Sequence, residues 1–326
     1  MEHKGLDEIV RPVKPDLDQF DKEMARVLAG DSPLITSVAR HIVKNRGKRL
    51  RPAFMFLLAR ASEHFSAHNI NASLAIELIH TATLLHDDVV DNSDLRRGSE
   101  TINFKWTNLI SVLMGDYLFA KAFRLMVKTG SIELIEAISR ATERVSVGEL
   151  RQIEETSNYD LSEEQYLRII ADKTASLFAV SSEAVPILAG ENGEIRNNFA
   201  SFGENFGVAF QIADDLLDYV GDARITGKEP GNDLINGKVT LPLIYTLRSG
   251  DKSKSREILK ILGNGINEDS FRQVLKYVTD SGGIDYTVRR ASEIAHDGIG
   301  VIGELKDSEF HRALQGMVDF STSRRS

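Results

Sequence analysis

Residues 72–91 of the chain read ASLAIELIHTATLLHDDVVD. The apolar residues recur at helical spacing and cover much of the helix circumference, which is typical of a helix inside a bundle rather than one on a surface. The stretch then ends in three aspartates, Asp87, Asp88 and Asp91. We therefore expect a long, mostly buried helix that carries a cluster of carboxylates at its end.

Four further segments repeat this helical pattern. Glycine and proline fall between the segments, and no pair of alternating strands joined by Asn-Gly or Asp-Gly occurs. Pro186 lies inside the last segment and is expected to kink or end that helix. The sequence predicts an all-α protein in which residues 1–326 form a single-domain helical bundle. The five predicted helices cover residues 53–65, 72–86, 111–128, 134–155 and 163–188.

The composition of the 326 residues excludes several classes of protein. Lys+Arg number 40 and Asp+Glu 48, so the formal charge of −8 makes the chain a poor match for nucleic acid or an anionic membrane. The absence of cysteine excludes disulfide frameworks, thiolate metal sites and cysteine nucleophiles. No apolar run reaches the roughly 20 residues of a transmembrane segment, and residues 1–10 lack the core of a secretory signal. We expect a soluble, cytoplasmic protein.

Two acidic motifs of the same form lie in apolar surroundings. The first, LLHDDVVD, ends at Asp91, and the second, QIADDLLD, ends at Asp218. In a helix, the first and last aspartates of each motif share a face. Two such carboxylates about 4 Å apart repel by ~1 kcal/mol in water and by ~4 kcal/mol at an effective dielectric of about 20, so a cation between them is favourable.

Ligands that are all oxygen, without His or Cys, favour a hard divalent ion such as Mg²⁺. Magnesium binds a few carboxylates and completes its shell with water and phosphate oxygens. The sequence therefore predicts magnesium sites that hold a polyphosphate. The predicted metal ligands are Asp87, Asp88, Asp91, Asp214, Asp215 and Asp218.

Basic segments accompany the acidic motifs, as a metal-bound diphosphate requires, and arginine is well shaped for phosphate. Four segments form this set: GKRLRP at 47–52, DLRRG at 94–98, DKT at 172–174 and TGKEPGNDLINGK at 226–238. The third segment is expected at the start of a helix. The fourth is expected to be a flexible basic flap over an anionic ligand. Taken alone, the first segment also fits a solvated charge run or a minor nucleic-acid patch. The arginines of the second could simply neutralise the aspartates, and the fourth could be an ordinary surface loop.

Together these segments resemble the trans-isoprenyl diphosphate synthases, also called polyprenyl synthetases. The resemblance runs through most of the chain and rests on GKRLRP, ELIH at 77–80, both acidic motifs, Arg96-Arg97-Gly98, Lys173-Thr174 and Gly237-Lys238. It implies an all-α bundle around a deep central cavity and a homodimer. It also implies an enzyme, a prenyltransferase that joins isopentenyl diphosphate head-to-tail to farnesyl or geranylgeranyl diphosphate.

The resemblance further implies roles for single residues. About three Mg²⁺ ions bridge the allylic diphosphate, held by the six aspartates. No side chain resembles a dedicated general base, and the released diphosphate takes the proton. The residues implied in catalysis are Asp87, Asp91, Asp214, Lys173 and Lys238. Those implied to contact the allylic diphosphate are Arg96, Lys173, Thr174, Gln211, Lys228 and Lys238. Those implied to hold isopentenyl diphosphate are Lys48, Arg51, His80 and Arg97.

The residues before the first motif bear on product length. Ala82 lies about 7.5 Å down the helix axis from Asp87, at 1.5 Å per residue. Synthases of farnesyl or geranylgeranyl diphosphate commonly carry a bulky aromatic residue near this place, as a floor under the growing chain. The small Ala82, with Ala75 and Leu78 below it, favours a heptaprenyl to decaprenyl product, with octaprenyl as the central expectation. Close packing of Ala82 against a neighbour is the alternative. Candidates for a deeper floor are Phe119, Phe123 and Met126.

Three other functions remain open at the level of sequence. One is a shorter-chain synthase that makes farnesyl or geranylgeranyl diphosphate. A class I terpene cyclase shares the first acidic motif, but its second motif usually differs and it needs no site for isopentenyl diphosphate. A non-catalytic subunit of a heteromeric prenyl synthase predicts eroded aspartates or a missing basic turn, and this sequence shows neither.

The substitution Ala82→Phe is expected to shorten the product, because the larger ring would block the path of the growing chain. Thin-layer chromatography of the dephosphorylated products, made by purified protein with Mg²⁺, measures the chain length. An unchanged product distribution would contradict the role of Ala82.

Overall fold

In the computed structural model, the apolar stretch before the first acidic motif lies in helix α5 (Ala67–Val90). The helix begins with a reciprocal cap, in which the side chain of Asn69 accepts a hydrogen bond of 2.6 Å from the backbone N–H of Ser66. Every residue from 72 to 79 is buried, as expected for a helix inside a bundle. Asp91 is the C-cap residue. The first acidic motif therefore straddles the end of this helix.

The structure describes residues 5–30, 32–96, 98–221, 231–249, 251–263, 265–300 and 305–322. Within these ranges the regular structure is helical, apart from one short antiparallel pair of β1 (Leu95–Arg96) with β2 (Ser99–Glu100). The other helices are α1 (Leu6–Ile9), α2 (Lys14–Leu28), α3 (Pro33–Lys44), α4 (Leu50–Ala61), α6 (Ile102–Lys105), α7 (Asn108–Thr129), α8 (Ile132–Glu154), α9 (Glu163–Ile170), α10 (Ser176–Ala189), α11 (Gly193–Val220), α12 (Asn232–Ile235), α13 (Leu241–Ser249), α14 (Lys252–Gly263), α15 (Glu268–Asp280), α16 (Gly283–Asp297) and α17 (Glu309–Thr322).

The prediction of an all-α fold is confirmed, and the five predicted segments are helical over most of their lengths. One boundary was wrong. The helix predicted to reach Phe65 ends at Ala61, and Glu63 takes a left-handed conformation with φ of 61°. A residue in that conformation stops a right-handed helix.

The segment predicted as one helix over 163–188 contains a π-helical turn, Ala171–Ala175, between α9 and α10. Pro186 does not end α10, which continues for one more turn to Ala189. Gly190 follows with φ of 77°, so a left-handed glycine terminates the helix instead.

The contacts divide the chain into two compact units. Unit 1, with the first acidic motif, consists of Met1–Thr142, Leu177–Ala200 and Val301–Met317. Unit 2, with the second acidic motif, consists of Glu143–Ser176, Ser201–Gly300 and Val318–Ser326. The single domain around a deep cavity stays a prediction. No helix in the described ranges has the length and apolarity needed to cross a membrane.

In unit 1, helix α5 packs most extensively against α7. The close approach depends on Gly115 of α7, which lies against the imidazole of His86. A Cβ atom at Gly115 would lie 2.6 Å from Cδ2 of His86, which is an overlap. The ring nitrogen Nε2 of His86 is also 3.2 Å from the carbonyl oxygen of Val112. Because His86 directly precedes Asp87, this contact fixes the helix end that carries the first motif.

The substitution Gly115→Ala is expected to destabilise the protein by about 1 kcal/mol, because the new methyl group must displace the imidazole ring of His86 from its place against α7. Urea unfolding measures this change in the free energy of unfolding.

Gly316→Ala is the matched control, since Gly316 also lies within a helix, α17. The atom nearest to its new Cβ, in Ile9, would be 3.5 Å away, an ordinary contact. Alanine there is expected to preserve or raise stability through its higher helix propensity. Equal effects of the two substitutions would contradict the close approach at Gly115.

Candidate active site

The first acidic motif places its carboxylates in different surroundings. Asp88 is buried, and its Oδ1 accepts a hydrogen bond of 2.7 Å from Nε of Arg96. The backbone carbonyl of Asp88 also accepts from the side chain of Asn103 at 3.2 Å. Asp91 is exposed and Asp87 is half-buried. The motif therefore contains one buried, charge-paired carboxylate and two that lie nearer to solvent.

The residues expected to hold isopentenyl diphosphate also belong to unit 1. Lys48 is exposed and His80 is half-buried. The guanidinium of Arg51 lies over the ring of Phe178, 4.6 Å from its centre, in a cation–π contact. Arg97 lies outside the described residues, as does Lys228 in the predicted basic flap.

A cavity of about 100 Å³ in unit 1 brings part of this set together. Residues of four predicted motifs line it, among them Gly47, His80, Asp88 and Arg96. Arg49 lines it too, and its Nη1 donates a hydrogen bond of 3.0 Å to the carboxylate of Glu77. Lys48 and Arg51 are not among its lining residues. Of the residues expected to hold isopentenyl diphosphate that the structure describes, His80 alone lines this cavity, and their roles stay predictions. The ion pair of Arg49 with Glu77 was not predicted from the sequence.

The second acidic motif, in α11, also contains one buried carboxylate and others nearer to solvent. Asp214 is exposed, whereas Asp215 is buried. The hydroxyl of Tyr166 donates to Oδ2 of Asp215 at 2.7 Å, and Nε2 of Gln211 donates to Oδ1 at 2.7 Å. Burial raises the pKa of Asp215 to about 7, and repulsion from Asp233 adds to the shift. The hydrogen bonds from Tyr166 and Gln211 lower the pKa again, but neither donor carries a positive charge and the effect of burial is larger.

The last aspartate of this motif holds the start of the next described helix. The carboxylate of Asp218 accepts two backbone hydrogen bonds, from Asn232 at 3.1 Å and from Asp233 at 2.9 Å. Lys238 follows this short helix, and its Nζ lies 3.8 Å from Oδ1 of Asp233. Asp218 therefore positions the segment that carries Lys238.

Lys173 and Thr174 lie in the π-helical turn and not at a helix start, so that prediction was wrong. The helix begins earlier, at Glu163, and runs through this turn because no helix-breaking residue separates α9 from α10. Nζ of Lys173 donates to Glu149 at 2.8 Å, and Oγ1 of Thr174 donates to Oε1 of Gln211 at 2.9 Å. Such π turns are frequent at functional sites.

Helix α8 holds the other side of the π turn. Asp172 is buried and receives two guanidinium groups, from Arg144 at 2.8 Å and from Arg151. Gly148 lies between the two arginines along α8, and a Cβ atom there would lie 2.8 Å from Cα of Lys173. The glycine thus allows the helix backbone to approach the turn, and the arginines fix it there.

The donor set of both motifs fits Mg²⁺. Magnesium is usually held by one or two carboxylates, with substrate phosphates and water as the other ligands. Among the residues that the structure describes, no three His, Cys, Asp or Glu side chains converge to hold an ion by themselves. The arrangement therefore suits an ion shared with a polyphosphate better than a cage made wholly of protein.

The residues considered for product length differ in burial. Ala75 and Ala82 have no exposed surface, and Leu78 is buried. Of the deeper candidates on α7, Phe123 is 52% exposed whereas Met126 is buried, so Met126 is better placed as an interior floor. A fully buried Ala82 does not line an open cavity, which supports close packing; its role in product length stays a prediction.

Several residues of this site were not found from the sequence. Tyr166 and its partner Asp215 are 49 residues apart, and no local pattern links them. Arg144, Gly148 and Arg151 lie about one turn apart along one face of α8. A lone glycine inside a helical pattern, flanked in this way by cations, is the signal that indicates a close approach of a second backbone.

Comparison with known proteins gives one family and full-length relatives. A sequence profile of the polyprenyl synthetase family matches residues 32–278. The octaprenyl diphosphate synthase of Haemophilus influenzae is 35% identical over 98% of this chain and 97% of the relative. An all-trans-nonaprenyl-diphosphate synthase (geranyl-diphosphate specific) of Rhodobacter capsulatus is 37% identical over 97% of each chain.

A solved structure gives the same result. The polyprenyl synthase from Caulobacter crescentus, complexed with calcium and isoprenyl diphosphate, matches with a TM-score of 0.92 and 36% identity. The match covers 100% of both chains.

The buried Asp215 predicts how stability depends on pH in metal-free protein. Its pKa is about 7 in the folded state against an ordinary 3.8, so between these values only the folded state keeps the proton. The free energy of unfolding is therefore expected to fall as pH rises from 4 to 7, by up to about 1.4 kcal/mol per pH unit, and then to level off.

Urea unfolding in EDTA across this pH range measures the effect. Asp215→Asn, which does not titrate, is expected to show a flatter pH dependence than the wild-type protein. Identical slopes would contradict the raised pKa.

Proposed function

The chain belongs to the polyprenyl synthetase family, and on that premise we propose that it condenses isopentenyl diphosphate head-to-tail with an allylic diphosphate. The product is an all-trans polyprenyl diphosphate of octaprenyl length. Such an enzyme must bind two diphosphates, weaken the allylic carbon–oxygen bond and keep water from the resulting cation.

One connected group in unit 2 carries the proposal. Thr174 donates to Gln211, and Gln211 donates to Asp215, through hydrogen bonds of 2.9 and 2.7 Å. Lys173 directly precedes Thr174 in the same turn. A hydroxyl and an amide are thus linked to the carboxylate motif, and the next residue along the π turn supplies an ammonium, which pairs with Glu149. These are groups that a magnesium-bound diphosphate needs.

Magnesium, about three ions, is the cofactor we propose. When bound, it neutralises the charge that develops on the departing diphosphate. The proposed ligands are Asp87, Asp91, Asp214 and Asp218. Asp88 and Asp215 are the two buried members of the motifs, and side chains of the protein donate hydrogen bonds to one oxygen of Asp88 and to both oxygens of Asp215. The calcium and isoprenyl diphosphate of the Caulobacter crescentus structure support a divalent ion together with a diphosphate.

The cationic side chains divide between the two substrates. Those proposed for the allylic diphosphate are Arg96, Lys173, Lys228 and Lys238, and those proposed for isopentenyl diphosphate are Lys48, Arg51, His80 and Arg97. Their positive charge stabilises the leaving group as the bond breaks. Apolar side chains exclude water until the double bond of isopentenyl diphosphate attacks the cation. We assign no side chain as the base, and the released diphosphate accepts the proton.

The octaprenyl product rests on the relatives. The Haemophilus influenzae relative is an octaprenyl diphosphate synthase, and the Rhodobacter capsulatus relative makes the nonaprenyl product at 37% identity. Overall identity therefore does not separate these two lengths, which depend on a few side chains at the end of the growing chain. Farnesyl or geranylgeranyl diphosphate is the proposed primer.

We also propose that the protein is a homodimer, joined through an exposed face of α7. Four large apolar side chains lie within one narrow arc of this helix at 100° per residue, and each is more than half exposed: Leu109, Leu113, Phe123 and Val127. Large apolar side chains exposed along one helix face are typical of an interface, and Asp116 is an exposed charge within this face. Sedimentation equilibrium is expected to give twice the 36.2 kDa of one chain, and Leu113→Asp is expected to reduce that mass. A single-chain mass for the wild-type protein would contradict the dimer.

The purified protein alone is expected to convert farnesyl diphosphate and radiolabelled isopentenyl diphosphate to an octaprenyl product in Mg²⁺ and to lose this activity in EDTA. Asp214→Asn is expected to lower kcat by about 100-fold or more, because it removes a charge that the leaving group depends on. Asp319→Asn, at an exposed position of α17, is the matched control and is expected to retain activity.

Two outcomes would contradict this proposal. Absence of turnover by the wild-type protein alone would favour the non-catalytic subunit. Equal activity of Asp214→Asn and Asp319→Asn would contradict the proposed catalytic role of the second motif.

A further inference from the structure

Tyr166 is a buried residue of α9 to which the proposed reaction assigns no role. Its side chain is 3% exposed, and its hydroxyl donates to Oδ2 of Asp215 at 2.7 Å. The other carboxylate oxygen accepts from Gln211, which lies one turn earlier on the same helix, α11. Asp215 is thus held once within its own helix and once from α9.

A second link joins the same two segments. Thr174 donates to Oε1 of Gln211, and Thr174 lies in the π turn that directly continues α9. The run from α9 to the π turn is therefore attached to α11 at two points, Tyr166 with Asp215 and Thr174 with Gln211. Two attachments along one pair of helices restrict both sliding and rotation of one against the other, which a single attachment does not.

The hydroxyl group of Tyr166 is the part of the side chain that apolar packing does not explain. Phenylalanine fills nearly the same volume, so apolar packing alone does not require a tyrosine at this place. Burying a hydroxyl is unfavourable unless it forms a hydrogen bond, and removing it leaves an oxygen of Asp215 unsatisfied. The bond from Tyr166 to Asp215 is therefore the specific contribution of this side chain.

We infer that Tyr166 is a positioning residue for the allylic diphosphate, because through Asp215 it holds the second acidic motif in register with the turn that carries Lys173 and Thr174. The inference rests on the proposed function. Residues that orient metal ligands from behind typically change metal affinity or activity by about 10- to 100-fold when they are replaced.

The first test is steady-state kinetics of Tyr166→Phe. We expect the KM for the allylic diphosphate and the Mg²⁺ concentration for half-maximal rate each to rise about 10-fold. The KM for isopentenyl diphosphate is expected to stay unchanged, because its proposed ligands belong to unit 1. A general loss of structure would not produce this split between the two substrates.

Tyr277→Phe is the matched control. Tyr277 is also a buried tyrosine of unit 2, and its hydroxyl donates to the backbone carbonyl of Asp251 at 3.1 Å rather than to the acidic motif. We expect it to keep wild-type values of both KM constants. Asp215→Asn is expected to give the same split as Tyr166→Phe, and the double variant is expected to be no worse than either, because both changes break one link.

A second test needs neither activity nor metal. Hydrogen–deuterium exchange of the protein in EDTA is expected to be faster at residues 171–175 and 211–218 in Tyr166→Phe, and unchanged there in Tyr277→Phe.

The outcomes of these tests distinguish a failure of the inference from a failure of the proposed function. Kinetics and exchange of Tyr166→Phe that match those of Tyr277→Phe would overturn the inference. So would an equal rise of both KM constants with a lower melting temperature, since that indicates a merely structural role. If the wild-type protein does not turn over at all, the proposed function fails, and the exchange experiment still shows whether Tyr166 holds the two segments together.

Discussion

A carboxylate in an apolar setting must be stabilised by a partner, and this requirement shapes both acidic motifs. An ion removed from water without partners costs several kcal/mol even after the protein relaxes. Each motif therefore buries one aspartate against donors, Asp88 against Arg96 and Asp215 against Tyr166. The remaining aspartates lie nearer the surface, where their mutual repulsion favours a shared cation. The buried member is held by hydrogen bonds, and the others are the proposed ligands of magnesium.

The two buried aspartates are held by different chemistry. Arg96 supplies an opposite charge to Asp88, whereas Tyr166 and Gln211 supply only neutral hydrogen bonds to Asp215. Neutral hydrogen bonds offset only part of the cost of burial, and the pKa of Asp215 rises to about 7. The second motif therefore depends on neutral hydrogen bonds from neighbouring residues, whereas the first motif depends on an ion pair with Arg96.

Much of the fold was predictable because helical spacing is a local property of the sequence. The helix that ends in the first motif, and the buried face of residues 72–79, follow directly from apolar periodicity. The π turn was not predictable in this way, because its contacts are not local. Arg144 and Arg151 of another helix donate hydrogen bonds to Asp172 in the turn. The same holds for Tyr166, whose partner is distant in the chain. The sequence identified the charged and polar residues of the motifs. It did not identify the side chains that form hydrogen bonds to them from distant parts of the chain.

The most direct test of magnesium-mediated diphosphate binding uses inorganic pyrophosphate and isothermal titration calorimetry. We predict that the wild-type protein binds pyrophosphate in Mg²⁺ and not in EDTA, and that Asp91→Asn and Asp214→Asn each weaken the binding, because each removes a proposed magnesium ligand. Binding that is equally strong without magnesium, or that is unaffected by either substitution, would contradict that claim.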